Sequence, residues 1–227
     1  MAGRKHKKKT WFSKLWYFLW EDDSLLSWIV NFVLAFVIIK FLLYPGLGFA
    51  LQTNHPIVAV VSGSMEHGIS EGILCGKTFD NKGTVSFDDY WQVCGNWYED
   101  NNITKKIFAK FPFKNGFWKG DIMVLYGTKI NDVEVGDVIV FIDAAARPII
   151  HRVVAIKTSP DNNNEIIFQT KGDHNVGQLV PPASKTINER KVLSSAYVGK
   201  AVFRVPLLGY VKIIAVDALR LVLGVFH

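Results

Sequence analysis

The run Val60-Val61-Ser62-Gly63-Ser64-Met65 presents a serine just after a β-branched stretch and a glycine. A hydroxyl held at the end of a strand can act as a nucleophile if a base and an orienting acid reach it. Ile149-Ile150-His151-Arg152-Val153-Val154 offers a histidine within a strand pattern, on the side shared by Ile149 and Val153. Thr170-Lys171-Gly172-Asp173-His174-Asn175 ends another strand with an acid at a turn. A serine hydroxyl is almost un-ionised at neutral pH, and an imidazole with a pKa of about 6.5 can take its proton there. Each residue also has a plain alternative. Ser64 can be a turn, His151 a satisfied strand histidine, and Asp173 an acid bonded to its own backbone. His67, three residues past Ser64, stands as a competing base.

Positioning such a group requires a rigid scaffold, and residues 52–205 supply the pattern of one. Residues 57–61, 121–126, 137–142, 149–156, 165–170 and 197–203 are short, β-branched and separated by Gly, Asn, Asp or Pro. They predict a mainly β domain, an antiparallel sheet or barrel-like body. Gly120-Asp121-Ile122-Met123-Val124 and Gly136-Asp137-Val138-Ile139-Val140 repeat one turn-into-strand device. Residues of about 68–118 break the pattern, with Trp91, Trp97, Trp118, both cysteines and many polar residues. They read as an insertion, either a flap or a small subdomain.

The ends of the chain point to a membrane. Residues 1–23 combine Arg4, Lys5, Lys7, Lys8, Lys9 and Lys14 with Trp11, Phe12, Trp16, Tyr17, Phe18 and Trp20. Beside an apolar span this reads as a cytoplasmic flank with an aromatic helix or turn at the headgroups, not as a nucleic-acid arm. Residues 24–51 follow as a transmembrane signal-anchor, with Ser24 among its N-cap candidates. About 20 apolar residues cross a bilayer core, and the run interrupted only by Asn31 and Lys40 is of that length, ending at Pro45-Gly46. The run starts too late and is too long for a cleaved leader. Residues 206–227 carry Lys212, Asp217 and Arg220, which favour an amphipathic helix lying on the membrane over a second crossing. Nearly half of the residues are apolar, 49%, against a net charge of +6.

Cys75 and Cys94 are 19 positions apart with neither a CxxC nor a histidine spacing suited to zinc. No metal or organic cofactor is expected. Their confinement to one outward segment predicts a disulfide.

Taken in this order behind an anchor, the motifs resemble type I signal peptidases of the archaeal and endoplasmic-reticulum branch. The resemblance rests on Ser62-Gly63-Ser64-Met65, the two Gly-Asp strands, His151-Arg152-Val153 and Gly172-Asp173-His174-Asn175. It implies a serine endopeptidase that removes signal peptides from secreted preproteins, with a histidine rather than a lysine as base. Ser64 would be the nucleophile, His151 its base and Asp173 the orienting acid. Ser62 would join the Ser64 N–H in an oxyanion hole. The implied partners are preproteins, membrane lipid and a secretion translocon, with no nucleic acid. The implied location is the cell membrane, single-pass, N-terminus inside and catalytic domain outside. The competing class is a non-catalytic membrane-anchored β domain serving as a binding or accessory subunit.

Two departures from the family pattern stand out. Glu66-His67-Gly68 replaces the usual proline and leucine-like residues after the methionine. Gln178 and Leu179 stand where the family has a second aspartate. With that second acid missing, Asp173 is expected to act alone.

Overall fold

The computed structural model of the chain describes residues 10–159 and 165–208. The basic run through Lys9 and nearly all of the predicted C-terminal helix lie outside the described residues. Residues 206–208 form a turn, with Leu207 at φ 62°, where the sequence reading starts that helix.

Residues 1–50 and 51–227 form separate units. In the first, α1 (Trp11–Trp20) is capped by Thr10 and α2 (Leu25–Ile38) by Ser24, whose hydroxyl accepts the Ser27 N–H. The polar residues of the apolar span have local work. Ser27 Oγ donates to the Phe18 carbonyl and Asn31 Nδ2 to that of Leu19, satisfying last-turn carbonyls of α1. The helix does not stop at Pro45-Gly46. It passes through a π-helical turn, Ile39–Leu43, into α3 (Tyr44–Ala50). A proline ring collides with the carbonyl four residues back in regular α-helix. The widened turn just before Pro45 moves that carbonyl aside, so the helix survives. Residues Leu25–Ala50 thus make one helix long and apolar enough to cross a membrane.

The second unit is built on an antiparallel sheet. In chain order its elements are β1 (Ile57–Ala59), β2 (Gly68–Ile69), β3 (Ile73–Leu74), β4 (Lys77–Thr78), β5 (Gly83–Thr84), α4 (Phe87–Asp100), α5 (Lys105–Phe108), β6 (Ile122–Tyr126), β7 (Val138–Ile142), β8 (Pro148–Thr158), β9 (Ile166–Lys171), β10 (Val192–Leu193) and β11 (Tyr197–Val205). The main sheet has seven strands in the order β1-β6-β11-β7-β8-β9-β10. The mainly β, antiparallel body is as the sequence pattern predicts; only the short β10 has no counterpart there. Central β7 is buried on both faces. Val138 and Val140 join Met65, Phe117 and Leu125 in one core, while Ile139 and Phe141 join Val153 and Phe168 in another.

The repeated Gly-Asp device has a physical basis. Gly120 and Gly136 both take positive φ, at 92° and 101°. The following aspartates then accept N–H groups three residues back, Asp121 from Trp118 and Asp137 from Glu134. Both carboxylates also pair with cations of the intervening strand β11, Asp121 with Arg204 and Asp137 with Lys200.

Residues 68–118 pack around buried side chains of their own and against β8. Tyr90, Trp91, Cys94, Tyr98, Ile103 and Phe108 form a third buried cluster, with Val154 of β8 within it. Cys75 and Cys94 are disulfide-bonded. Closing a loop of that length removes unfolded-chain entropy worth about 3 kcal/mol. The double variant Cys75→Ser/Cys94→Ser should therefore unfold about 3 kcal/mol more easily in urea. A shift under 1 kcal/mol would mean that the cluster holds without the link.

Candidate active site

Strand β1 delivers the serine motif. Its pairing with β6 continues one step further, with Val60 N–H on the Asp121 carbonyl at 2.9 Å and Gly120 N–H on the Val60 carbonyl at 2.9 Å. The chain then tightens, Glu66 N–H bonding the Gly63 carbonyl at 3.0 Å. Met65 is wholly buried in the core, and its carbonyl accepts from Phe117 N–H. The Ser64 carbonyl accepts from His174 N–H at 2.9 Å. Ser64 is therefore held by backbone on both sides while its hydroxyl stays half-exposed.

His151 Nε2 lies 2.9 Å from Ser64 Oγ, and Ser62 Oγ lies 3.2 Å from the same oxygen. On the other side of the ring, His151 Nδ1 meets Glu189 Oε1 at 2.5 Å. With Nδ1 donating to the carboxylate, Nε2 is left with the lone pair that can accept the serine proton. Glu189 is fully buried and tightly held. Its Oε2 accepts from Leu179 N–H at 2.5 Å, and Thr170 Oγ1 donates to Oε1 at 3.3 Å.

The acid beside His151 is thus Glu189, not Asp173, which corrects the sequence reading. Successive side chains on β8 point to opposite faces, so His151 and Arg152 diverge. Asp173 turns to the Arg152 side. Arg152 donates to Asp173 from Nε at 2.9 Å and from Nη2 at 2.7 Å, and both residues are wholly buried. Tyr98 Oη donates to the same carboxylate at 2.9 Å. The guanidinium holds the Asp173 carboxyl far below the usual carboxylate range, against the opposing effect of burial.

His67 is not a competitor for Ser64. Its Nε2 meets Asp173 Oδ2 at 2.8 Å, and its ring stacks on Tyr90 at 3.6 Å. Burial, only partly offset by Asp173, holds it below the ordinary imidazole value.

Sequence reasoning missed Glu189 because Asn188-Glu189-Arg190 is a polar stretch without a motif. The available signal is register. Strand β10 pairs with β9 through Val192 and Phe168. Continuing that ladder backwards sets Glu189 opposite Lys171, and a slip of one residue there puts the Thr170 N–H on the Glu189 carbonyl at 2.8 Å. At the positions where a second aspartate was sought, Leu179 instead presents an N–H to a glutamate from elsewhere.

Two predictions follow from the buried charges. Asp173→Asn leaves Arg152 uncompensated and should cost about 3–5 kcal/mol of stability by urea unfolding. A loss below 1 kcal/mol would show that the pair is dispensable. Lys171 is also buried, its amine donating to the Gly172 carbonyl at 3.0 Å, and burial lowers its pKa to about 8. An unfolded lysine titrates near about 10.4, so between these values the unfolded chain binds the proton that the folded chain has released. Stability should therefore rise from pH 8 to 9.5 relative to Lys171→Met, before tyrosine ionisation in the unfolded chain opposes it. Parallel pH profiles for the two proteins would contradict this.

No family model matches the chain. Among curated proteins, it is 36% identical over 102 residues to the signal peptidase complex catalytic subunit SEC11 of Candida tropicalis, covering 43% of this chain and 57% of that protein. Against the SEC11 of Lachancea thermotolerans it is 33% identical over 102 residues, covering 43% of this chain and 56% of that one. The chain thus spans a little over half the length of the curated relatives it matches.

Proposed function

We propose that this chain is a membrane-anchored serine endopeptidase that removes signal peptides from secreted preproteins. One observation carries the reading: Ser64 Oγ sits 2.9 Å from His151 Nε2, while Nδ1 of the same ring is held by a buried carboxylate. Similarity to two signal peptidase catalytic subunits supports the substrate class.

In this mechanism His151 Nε2 takes the Ser64 proton as Oγ attacks the carbonyl carbon of the scissile peptide bond. The oxyanion that forms is stabilised by the Ser62 hydroxyl and the Ser64 N–H. His151 then returns its proton to the departing amine, leaving an acyl ester on Ser64. Water, deprotonated by the same imidazole, resolves the ester. Glu189 keeps Nε2 in its accepting tautomer and stabilises the imidazolium. Asp173 supports the turn that carries His174 and takes no direct part.

The helix Leu25–Ala50 anchors the enzyme, with the basic N-terminus inside and the catalytic domain outside the cell membrane. A preprotein whose own apolar segment is still in the bilayer meets the site there. Lipid and the secretion translocon are the surroundings in which this occurs.

The test uses full-length protein in detergent with a preprotein substrate. Ser64→Ala should lower turnover by on the order of 10⁴-fold or more. Glu189→Gln should lower it by roughly 10²–10⁴-fold at an unchanged thermal midpoint, because the amide no longer stabilises the imidazolium. Wild-type turnover in Ser64→Ala would remove Ser64 as the nucleophile, and a wild-type protein that leaves the preprotein intact would end the protease reading. Wild-type turnover in Glu189→Gln would reduce the mechanism to the Ser64–His151 pair.

A further inference from the structure

Between α4 and α5 the chain reads Asn101-Asn102-Ile103-Thr104, and the spacing of its last three residues is unused by the chemistry above. An asparagine followed at the second position by serine or threonine, with no proline between, is the acceptor pattern for N-linked sugar. Asn102 is the only asparagine of the sequence that meets it. So short a pattern also arises by chance, and its weight depends on where the fold puts it and on which side of a membrane it stands.

The local structure sets both ends of the pattern outward. Helix α4 closes in a left-handed cap. Asn102 takes φ 63° and its N–H reaches the Glu99 carbonyl at 3.0 Å, while the Ile103 N–H reaches that of Tyr98 at 2.9 Å. Asparagine is among the few side chains that accept this backbone. Ile103 is buried with Tyr98 in the insertion's cluster, which pins the turn. Its neighbours on either side, Asn102 and Thr104, are both exposed.

Their polar groups are also uncommitted. Asn101 donates its amide to the Trp97 carbonyl at 2.8 Å, but the amide of Asn102 has no hydrogen bond among the described residues. Thr104 Oγ1 accepts the Ile107 N–H at 3.4 Å as the cap of α5, and among the described residues its own hydrogen is donated to nothing. Helix capping accounts for each residue type taken singly. It leaves the amide and the hydroxyl free on one solvent-facing turn, as sugar attachment requires.

The disulfide supplies an independent sign of the compartment. Cys94 stands eight residues before Asn102 and is bonded to Cys75. Disulfides form and persist outside the reducing cytosol. The segment that carries the pattern therefore belongs on the side of the membrane where secreted chains receive sugar.

We propose that Asn102 is an N-glycosylation site that carries one oligosaccharide on Nδ2. The donor is a glycan joined through phosphate to a polyisoprenoid lipid, and a membrane-bound transferase catalyses the step. The bond from the anomeric carbon to the phosphate oxygen breaks as the bond from that carbon to Nδ2 forms. One Nδ2 hydrogen leaves as a proton to a base of the transferase, and the lipid phosphate departs with the electron pair of the broken bond. The inference needs the domain outside the membrane, as in the function proposed above, but not its proteolytic chemistry.

The test takes full-length protein from membranes of cells that glycosylate a co-expressed secreted control bearing an exposed Asn-Ile-Thr. Intact mass, and fragmentation of the peptide that spans Asn102, are measured on wild type and four variants. Wild type should be heavier by one oligosaccharide, located on Asn102. Asn102→Asp, which suits the left-handed turn but lacks the amide, should lose the whole increment, and so should Thr104→Ala. Thr104→Ser, which keeps a hydroxyl at that position, should retain it. Ser64→Ala should carry the sugar as wild type does, so that a failure of the protease reading and a failure of this one are told apart. An unmodified wild-type Asn102 beside a modified control, or an increment that survives Asn102→Asp, would overturn the site.

Discussion

Arg152 and Asp173 are both fully buried, and such a pair is stable only when every hydrogen-bonding group is met. Here they are met from four directions. Besides its bonds to Asp173, the guanidinium donates to the carbonyls of Pro112, Phe113 and Gly136. Its flat face covers the Phe108 ring, 4.8 Å from the ring centre. Asp173 in turn collects Tyr98 and His67. One ion pair thus joins strand β8, the turn after β9, the end of the insertion and the segment that follows Ser64. Because β8 alternates, fixing Arg152 on one face commits His151 to the other, where Ser64 waits.

The two acids near the site divide the work by what answers their charge. Asp173 faces a permanent cation, which fixes it as a carboxylate, and the imidazole it meets is that of His67, on the Arg152 side and not the His151 side. Glu189 faces backbone and hydroxyl donors and one titratable ring, so it can respond when that ring becomes charged. An orienting acid needs the second environment. The Gly-Asp box therefore marks the brace, and the carboxylate on His151 comes from sixteen residues further along the sequence.

Much of this was legible in the residues. Each strand predicted from β-branched runs is present within a few positions, because alternation and turn residues at 120 and 136 encode it locally. Ser64 and His151 were recoverable as a pair, and so was the Cys75–Cys94 bond. Glu189 was not, since its place depends on the register of the two-residue strand β10 against β9, a tertiary fact without a local pattern. The destination of Asp173 was missed by one position. The choice between His151 and its neighbour Arg152 turns on which β8 face the insertion covers. Pro45 misled for the opposite reason, since its local rule is sound but the π-helical turn ahead of it removes the clash.

The insertion looks separable in composition, yet it is packed against the turn that holds Ser64. The carbonyl of Asp173 accepts from Tyr90 Oη at 2.9 Å and from the buried Lys171 amine at 3.4 Å, with Cys75 Sγ at 3.5 Å. Tyr90 and Cys75 both come from the insertion. The next residue, His174, uses its N–H to hold the Ser64 carbonyl, and its Nδ1 lies 3.1 Å from the Glu66 carbonyl. A short covalent path therefore runs from the insertion's contacts to the backbone grip on Ser64. Displacing α4 moves Tyr90 and Tyr98, two of the donors on Asp173, and with them the turn that sets Ser64 against His151. Residues 68–118 lie between Ser64 and the rest of the sheet in sequence, and they close the polar enclosure around its supporting turn in space.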